Sequence, residues 1–192
     1  MEVRGSGSGQ SLPNPGKRAM AMDLEGKVVL VTGAGSGIGK AAALRLARAG
    51  ATIAALGRTA DDLTVTADQV VASGGRAITA EADISKPDEM RAAVAQIEEK
   101  LKRLDVVFAN AGINGVWAPI ADLKPEEWTH TLTINLTGTF LTLKYVLPLL
   151  KVRGGSVIIT SSVNGTRIFS NAGASAYSVS KAGQEALAKM AA

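Results

Sequence analysis

Residues 31–40 read VTGAGSGIGK, with glycines at 33, 35, 37 and 39. Ahead of them stands KVVLVTG, a short apolar run that reads as a buried strand. Behind them GIGKAAALRLARAG places apolar residues at helical spacing and stops at Gly50. Strand, glycine turn and helix in that order suit a phosphate. Without Cβ atoms the turn can be tight and its backbone can approach a pyrophosphate. The helix N-terminus adds free N–H groups and the positive end of its dipole. Spacing narrows the reading. A Walker A loop needs G-x-x-x-x-G-K followed by Ser or Thr, but counting back from Gly39-Lys40 finds Ala34 at the first glycine, and Ala41 replaces the hydroxyl. G-x-G-x-x-G also fails, because Ile38 or Lys40 falls on its third glycine. T-G-x-x-x-G-x-G fits, as Thr32, Gly33, Gly37 and Gly39.

Downstream, apolar runs and helical patterns alternate. ATIAALGR, RAITAEADI, LDVVFANAG and GSVIITSS read as further strands. ADDLTVTADQVVASGG and SKPDEMRAAVAQIEEKLKR read as helices, the second with Ser85 as N-cap, acids early and bases late. PEEWTHTLTINLTGTFLTLKYVLPLLKVRG reads as one long helix, and a last helix closes the chain. The strands are continuous apolar runs, which predicts an α/β fold: a parallel sheet covered by helices on both faces. In the long helix Trp128, Leu132, Leu136, Phe140, Leu143 and Leu147 form one stripe, with Ile134, Leu141, Val146, Leu149 and Leu150 off it. A helix apolar on several sides needs cover beyond its own sheet, from a deeper core or from a second copy.

The totals exclude much. The chain has 192 residues, 46% hydrophobic and 20% charged, enough for one domain with a sizeable core. It has no cysteine and one histidine, His130, so thiolate chemistry and a cysteine-ligated metal are excluded, and no metal site is expected. The net charge of +4 includes Arg4, Lys17 and Arg18 near the start, and no basic block suggests nucleic acid. No apolar run reaches a membrane span. Residues 1–22 are rich in Gly, Ser and Pro and lack an apolar signal core; they are expected to be a disordered leader or tag, with one domain over 23–192 and a cytoplasmic location by default.

The ordered motifs closely resemble the short-chain dehydrogenase/reductase family. The T-G-x-x-x-G-x-G loop matches its cofactor signature, and ANAG (109–112), TINLTG (133–138), SSVNG and YSVSK, a Tyr-x-x-x-Lys, follow in family order. The resemblance implies a Rossmann-like, doubly wound sheet in three layers, with strand order 3-2-1-4-5. It implies a catalytic tetrad of Asn135, Ser162, Tyr177 and Lys181. Ser162 lies fifteen residues before Tyr177, two more than in many members, a difference the loop TRIFSNAGASA would absorb. Ser161 is the neighbouring candidate; side chains alternate along a strand, and Ser162 is preferred. The resemblance carries cofactor contacts onto Thr32, Gly33, Ser36, Gly37, Ile38, Gly39, Arg58, Asp83, Ile84, Asn110, Ala111 and Gly112, and onto Tyr177 and Lys181. Asn135 would hold a water linking Lys181 to solvent, while Asn110 is expected to brace the sheet centre.

The chemistry also stands on the residues. Positions i and i+4 share a helix face, so Lys181 can sit beside Tyr177. An ammonium beside a phenol favours the phenolate, which can then exchange a proton with an alcohol or carbonyl. Gly57 stands where an acid would bind the ribose of NAD, and Arg58 follows, so NADP is favoured over NAD. Asp83 would touch adenine or cap the next helix. The expected substrate is a ketone or secondary alcohol, with GINGVWAPIADL (112–123) at the pocket mouth and Trp117 over it. The family sheet continues for roughly 40–60 residues beyond this helix on ordinary element lengths. The expectation is therefore five strands, a raw edge, a partial copy of an active enzyme that is catalytically weak or inactive as it stands, or alternatively a nucleotide-binding module without catalysis, and a homodimer or homotetramer in the full-length form.

Overall fold

Five runs of Val, Ile, Leu and Ala set the frame. The computed structural model describes residues 24–166 and 173–192. The expected leader at 1–22 and the centre of the 166–176 loop lie outside the described residues. The strands are β1 (Val28–Thr32), β2 (Thr52–Gly57), β3 (Arg76–Glu81), β4 (Val106–Ala109) and β5 (Ser156–Ile159). The helices are α1 (Gly37–Arg48), α2 (Ala60–Ala72), α3 (Pro87–Leu101), α4 (Pro125–Leu132), α5 (Gly138–Lys151), α6 (Val163–Thr166) and α7 (Ser175–Ala191). The sheet order is β3-β2-β1-β4-β5, every pair parallel, as expected.

Strand alternation builds the three layers. Successive side chains of β1 go to opposite faces. Val28 and Leu30 join Leu56, Val107, Met90, Ile97 and Val146 in one core. Val29 and Val31 join Ile53, Ala43, Leu63 and Val70 in the other. Each Val, Leu, Ile or Met among them contributes about 1.5–3 kcal/mol by leaving water. Asp105 fastens the start of β4 to β1. Its Oδ2 accepts the Val28 N–H at 2.8 Å and the Arg103 Nε–H at 2.8 Å, and its Oδ1 accepts from Arg103 at 2.5 Å. Burial pushes the Asp105 carboxyl up, but these bonds and the charges of Arg103 and Lys27 outweigh it, and the net shift is downward.

Three local readings are corrected. The long helix is continuous through Pro148, but a π-helical segment, Thr133–Thr137, separates α4 from α5. There the Gly138 N–H reaches back five residues to the Thr133 carbonyl. Second, Ser85 does not cap α3. Pro87 takes the first helical position, which suits its missing N–H, and Lys86 is the N-cap. Ser85 instead donates its N–H and hydroxyl to Asp83 Oδ1, at 2.9 and 2.7 Å. Asp83 therefore turns the loop and does not cap the helix. Third, α6 is a single turn that no periodicity announces.

The apolar long helix divides in two. Ile134, Leu141, Val146 and Leu150 enter the core beneath β4, as does Tyr145 in part. Of the expected stripe, Leu143 is buried and Phe140 is 46% exposed. Leu136 packs on α7, where an added Cβ at Gly183 would lie 2.9 Å from its Cδ1.

Candidate active site

The glycine loop is held by close contacts. Gly33 and Gly37 have φ of +68° and +51°, in the left-handed region that favours glycine. A Cβ on Gly39 would sit 2.1 Å from the Gly33 carbonyl oxygen, so the first turn of α1 can approach the loop only as glycine. No acid occupies that first turn, and the N-cap Ser36 makes no side-chain cap bond. The N–H groups at this terminus thus face the cleft without an internal anion.

Thr32 lies behind the loop rather than in it. It is 1% exposed, and its Oγ1 accepts the N–H groups of Asn110 and Ala111, each at 3.0 Å. Asn110 donates from Nδ2 to the Thr32 carbonyl at 3.2 Å and accepts the Thr160 hydroxyl at 3.1 Å. One asparagine so ties together the ends of β1, β4 and β5. This bracing matches the expectation for Asn110.

At one end of the cleft stand Gly57, the last residue of β2, and Arg58, together with Asp83. Burial pushes the Asp83 carboxyl up, but two hydrogen bonds from Ser85 and the charges of Arg58 and Lys86 prevail and hold it below its usual range. At the other end α7 brings Tyr177 and Lys181. Lys181 is 3% exposed, its Nζ donates to the Thr160 carbonyl at 2.6 Å, and it lies 5.6 Å from the Tyr177 ring centre. Burial lowers the pKa of its ammonium. Asn135 is fully buried in the π-helical segment. Its Oδ1 accepts the Ile113 N–H and its Nδ2 donates to the Ile113 carbonyl, both at 2.8 Å. A Cβ on Gly112 would come within 3.0 Å of Asn135 Oδ1 and 3.8 Å of Lys181 Nζ, so this glycine keeps a space between them.

The cleft has a volume of about 400 Å³. Gly33, Ser36, Gly37, Ile38, Arg58, Asp83, Ile84, Asn110, Ala111, Gly112, Tyr177 and Lys181 line it together. Thr32, Gly39, Asn135 and Ser162 do not. Ser162 Oγ accepts the Asn164 N–H at 3.3 Å, at the start of α6. Its neighbour Ser161 faces the other way, donating to Glu185 Oε1 at 2.7 Å. Asn114, from the expected pocket mouth, and Ile134 also line the cleft, as do Thr59, Asp62 and Thr160, which were not singled out from the sequence. Asp62 looked like a helix-opening acid, and Thr160 acts through its carbonyl, which side-chain patterns do not reveal. Among the described residues no group of His, Cys, Asp and Glu could hold a metal ion, and no helix is long and apolar enough to cross a membrane.

Known proteins resemble this chain in sequence and in fold. The family model described as short chain dehydrogenase matches residues 27–192. A 3beta-hydroxysteroid dehydrogenase of Mediterraneibacter gnavus is 36% identical over 163 residues, 85% of this chain and 58% of the relative. Among solved structures, a 3-ketoacyl-ACP reductase from Sinorhizobium meliloti is 54% identical with a TM-score of 0.83, over 85% of this chain and 64% of that one. An NAD+-bound xylitol dehydrogenase is 34% identical with a TM-score of 0.85, over 88% and 65%. The chain spans less than two thirds of the length of each. Cradle, braced sheet centre and Tyr–Lys helix come in one order on one sheet, and with the family match over 27–192 the chain belongs to the short-chain dehydrogenase/reductase family.

Proposed function

We propose that the chain carries the nucleotide site and proton-transfer site of an oxidoreductase that interconverts secondary alcohols and ketones with NADP(H) or NAD(H). One observation carries this reading: the cleft that starts at the glycine loop ends at Tyr177 and Lys181. The residues fit a dinucleotide. A Cβ built on Gly37 would meet nothing within 4 Å, and the first turn of α1 holds no acid of its own. Gly33, Ser36, Gly37 and Ile38 would take the pyrophosphate, and Asp83 and Ile84 the adenine. When bound, the nicotinamide supplies or removes the hydride.

Tyr177 handles the proton. In the oxidising direction its phenolate oxygen accepts the alcohol proton as the carbinol carbon gives up hydride. In the reducing direction its O–H protonates the carbonyl oxygen as hydride arrives. Lys181, fixed by the Thr160 carbonyl with its Nζ 5.6 Å from the Tyr177 ring centre, is assigned to hold a positive charge beside the reacting groups. Ser162 is assigned to hydrogen-bond the reacting oxygen. Asn135 is assigned a water in the space beside Gly112, through the second lone pair of Oδ1. Of the expected pocket mouth, Gly112, Ile113 and Asn114 line the cleft and Trp117 does not.

NADP is favoured by Arg58, with no acid at Gly57 to oppose a 2′-phosphate. Asp62 and Asp83 line the same cleft and temper that preference, so NAD is expected to bind as well. The exposed Phe140 on α5 favours a homodimer or homotetramer of the longer protein. The test of the site is Tyr177→Phe. Turnover should fall by about 100-fold or more, the scale of general acid–base catalysis, with nucleotide affinity nearly unchanged. Equal turnover in the variant would remove Tyr177 from the mechanism.

A further inference from the structure

The helix that presents Tyr177 and Lys181 also carries Gln184, which does not line the cleft. Gln184 is 1% exposed. Its Nε2 donates to the Asn135 carbonyl at 2.7 Å and to Thr139 Oγ1 at 2.8 Å. Thr139 Oγ1 donates to that same carbonyl at 2.7 Å. On its side-chain end, Asn135 Nδ2 donates to Ser180 Oγ at 3.1 Å, and Ser180 Oγ donates to the Tyr177 carbonyl at 2.7 Å. A buried path thus runs from Gln184 through Asn135 and Ser180 to the backbone of Tyr177.

The arrangement contains a defect. Gln184 Oε1 is buried with no hydrogen-bond partner among the described residues. An unpaired buried carbonyl costs free energy that an apolar side chain of equal size would not. The two bonds donated by Nε2 are set against that cost. What the amide adds is direction. The π-helical segment interrupts the regular helical ladder at Asn135, and Gln184 grips that residue from the neighbouring helix.

We propose that Gln184 is a positioning residue: by holding Asn135 from behind, it fixes the seat of α7 and so the placing of Tyr177 and Lys181 in the cleft. The inference rests on reading that pair as the reacting groups. Gln184→Met keeps the volume and removes both donors. Tyr145 and Tyr177 are the two tyrosines, so protein labelled with 3-fluorotyrosine gives two fluorine signals, assigned with Tyr177→Phe. The Met variant should move the Tyr177 signal and leave that of Tyr145 in place. It should also lower kcat about 10-fold at unchanged nucleotide KM, as expected for a small misplacement of reacting groups. Thr139→Val, which deletes Gln184's second acceptor, repeats the test if the Met variant does not fold. An unmoved Tyr177 signal with unaltered kcat would overturn the proposal, and so would failure of both variants to fold, which would make Gln184 a stability residue. A wild-type chain without turnover counts against the proposed function, while the fluorine spectra still decide the role of Gln184.

Discussion

Strands β1 and β5 both end at the cleft, yet they are held very differently. Every residue of β1 is buried, with β2 on one side and β4 on the other. β5 has one neighbour, alternates between exposed and half-buried residues, and leaves Ile158 52% exposed. Beside it lies a groove lined by Leu147, Val157, Ile159 and Ala188. The glycine loop therefore hangs from the most constrained strand. The Tyr–Lys helix packs on α4, α6 and the π-helical segment, and Lys181 donates to the Thr160 carbonyl just past the end of the least constrained strand. Nucleotide binding should be the robust property of this chain, and proton transfer the sensitive one.

Core truncations test that contrast first. Leu30→Ala should cost about 2–5 kcal/mol, the usual range for a buried leucine. Val157→Ala, on the half-covered strand, should cost under about 1 kcal/mol, since less of that side chain leaves water. Equal losses in urea melts would mean that β5 is as constrained as β1. Next is Gly39→Ala. Its Cβ would press on the Gly33 carbonyl, so we expect a loss of about 1–3 kcal/mol and sharply weaker nucleotide binding by calorimetry.

Asp105 sharpens the comparison through pH. Its pKa is lowered in the fold, so its ionised form stabilises. That contribution is fully present above the ordinary carboxylate range, near ~4, and is lost as pH falls through the folded value. Asp105→Asn should cost about 1–3 kcal/mol at neutral pH and flatten the acid side of the stability curve. An unchanged acid limb would show that other carboxylates control it. The smallest effect is expected at the exposed rim. Arg58→Ala should weaken NADPH binding about 10-fold, the scale of a charge-assisted hydrogen bond, and barely change NADH. Parallel losses for both nucleotides would remove Arg58 from cofactor choice.

These residues also show what a sequence discloses. The parallel sheet and the glycine loop were legible in apolar runs and glycine spacing, whereas the strand order and the meeting of Asp83 and Asn110 with Tyr177 and Lys181 on one cleft were legible only through the family resemblance. The π-helical segment was not: Thr-Ile-Asn-Leu-Thr suits an ordinary helix, and only packing of Asn135 against Ile113 and α7 distinguishes the two. Ser85 seemed a natural cap until Pro87 claimed the first turn and Asp83 claimed the hydroxyl. Thr160 escaped notice because its carbonyl, not its hydroxyl, holds Lys181.

The most direct test of the central claim is a thermal melt of the 192-residue chain alone, with NADPH and with NADH. A robust nucleotide half predicts one cooperative transition, raised by a saturating nucleotide. At 100 times its Kd the gain is about 2.7 kcal/mol, or roughly 5–11 °C for a chain of this size. The nucleotide giving the larger rise is the preferred cofactor. A transition that neither nucleotide moves would contradict the account, because the cradle at residues 33–39 would then bind no dinucleotide in this chain.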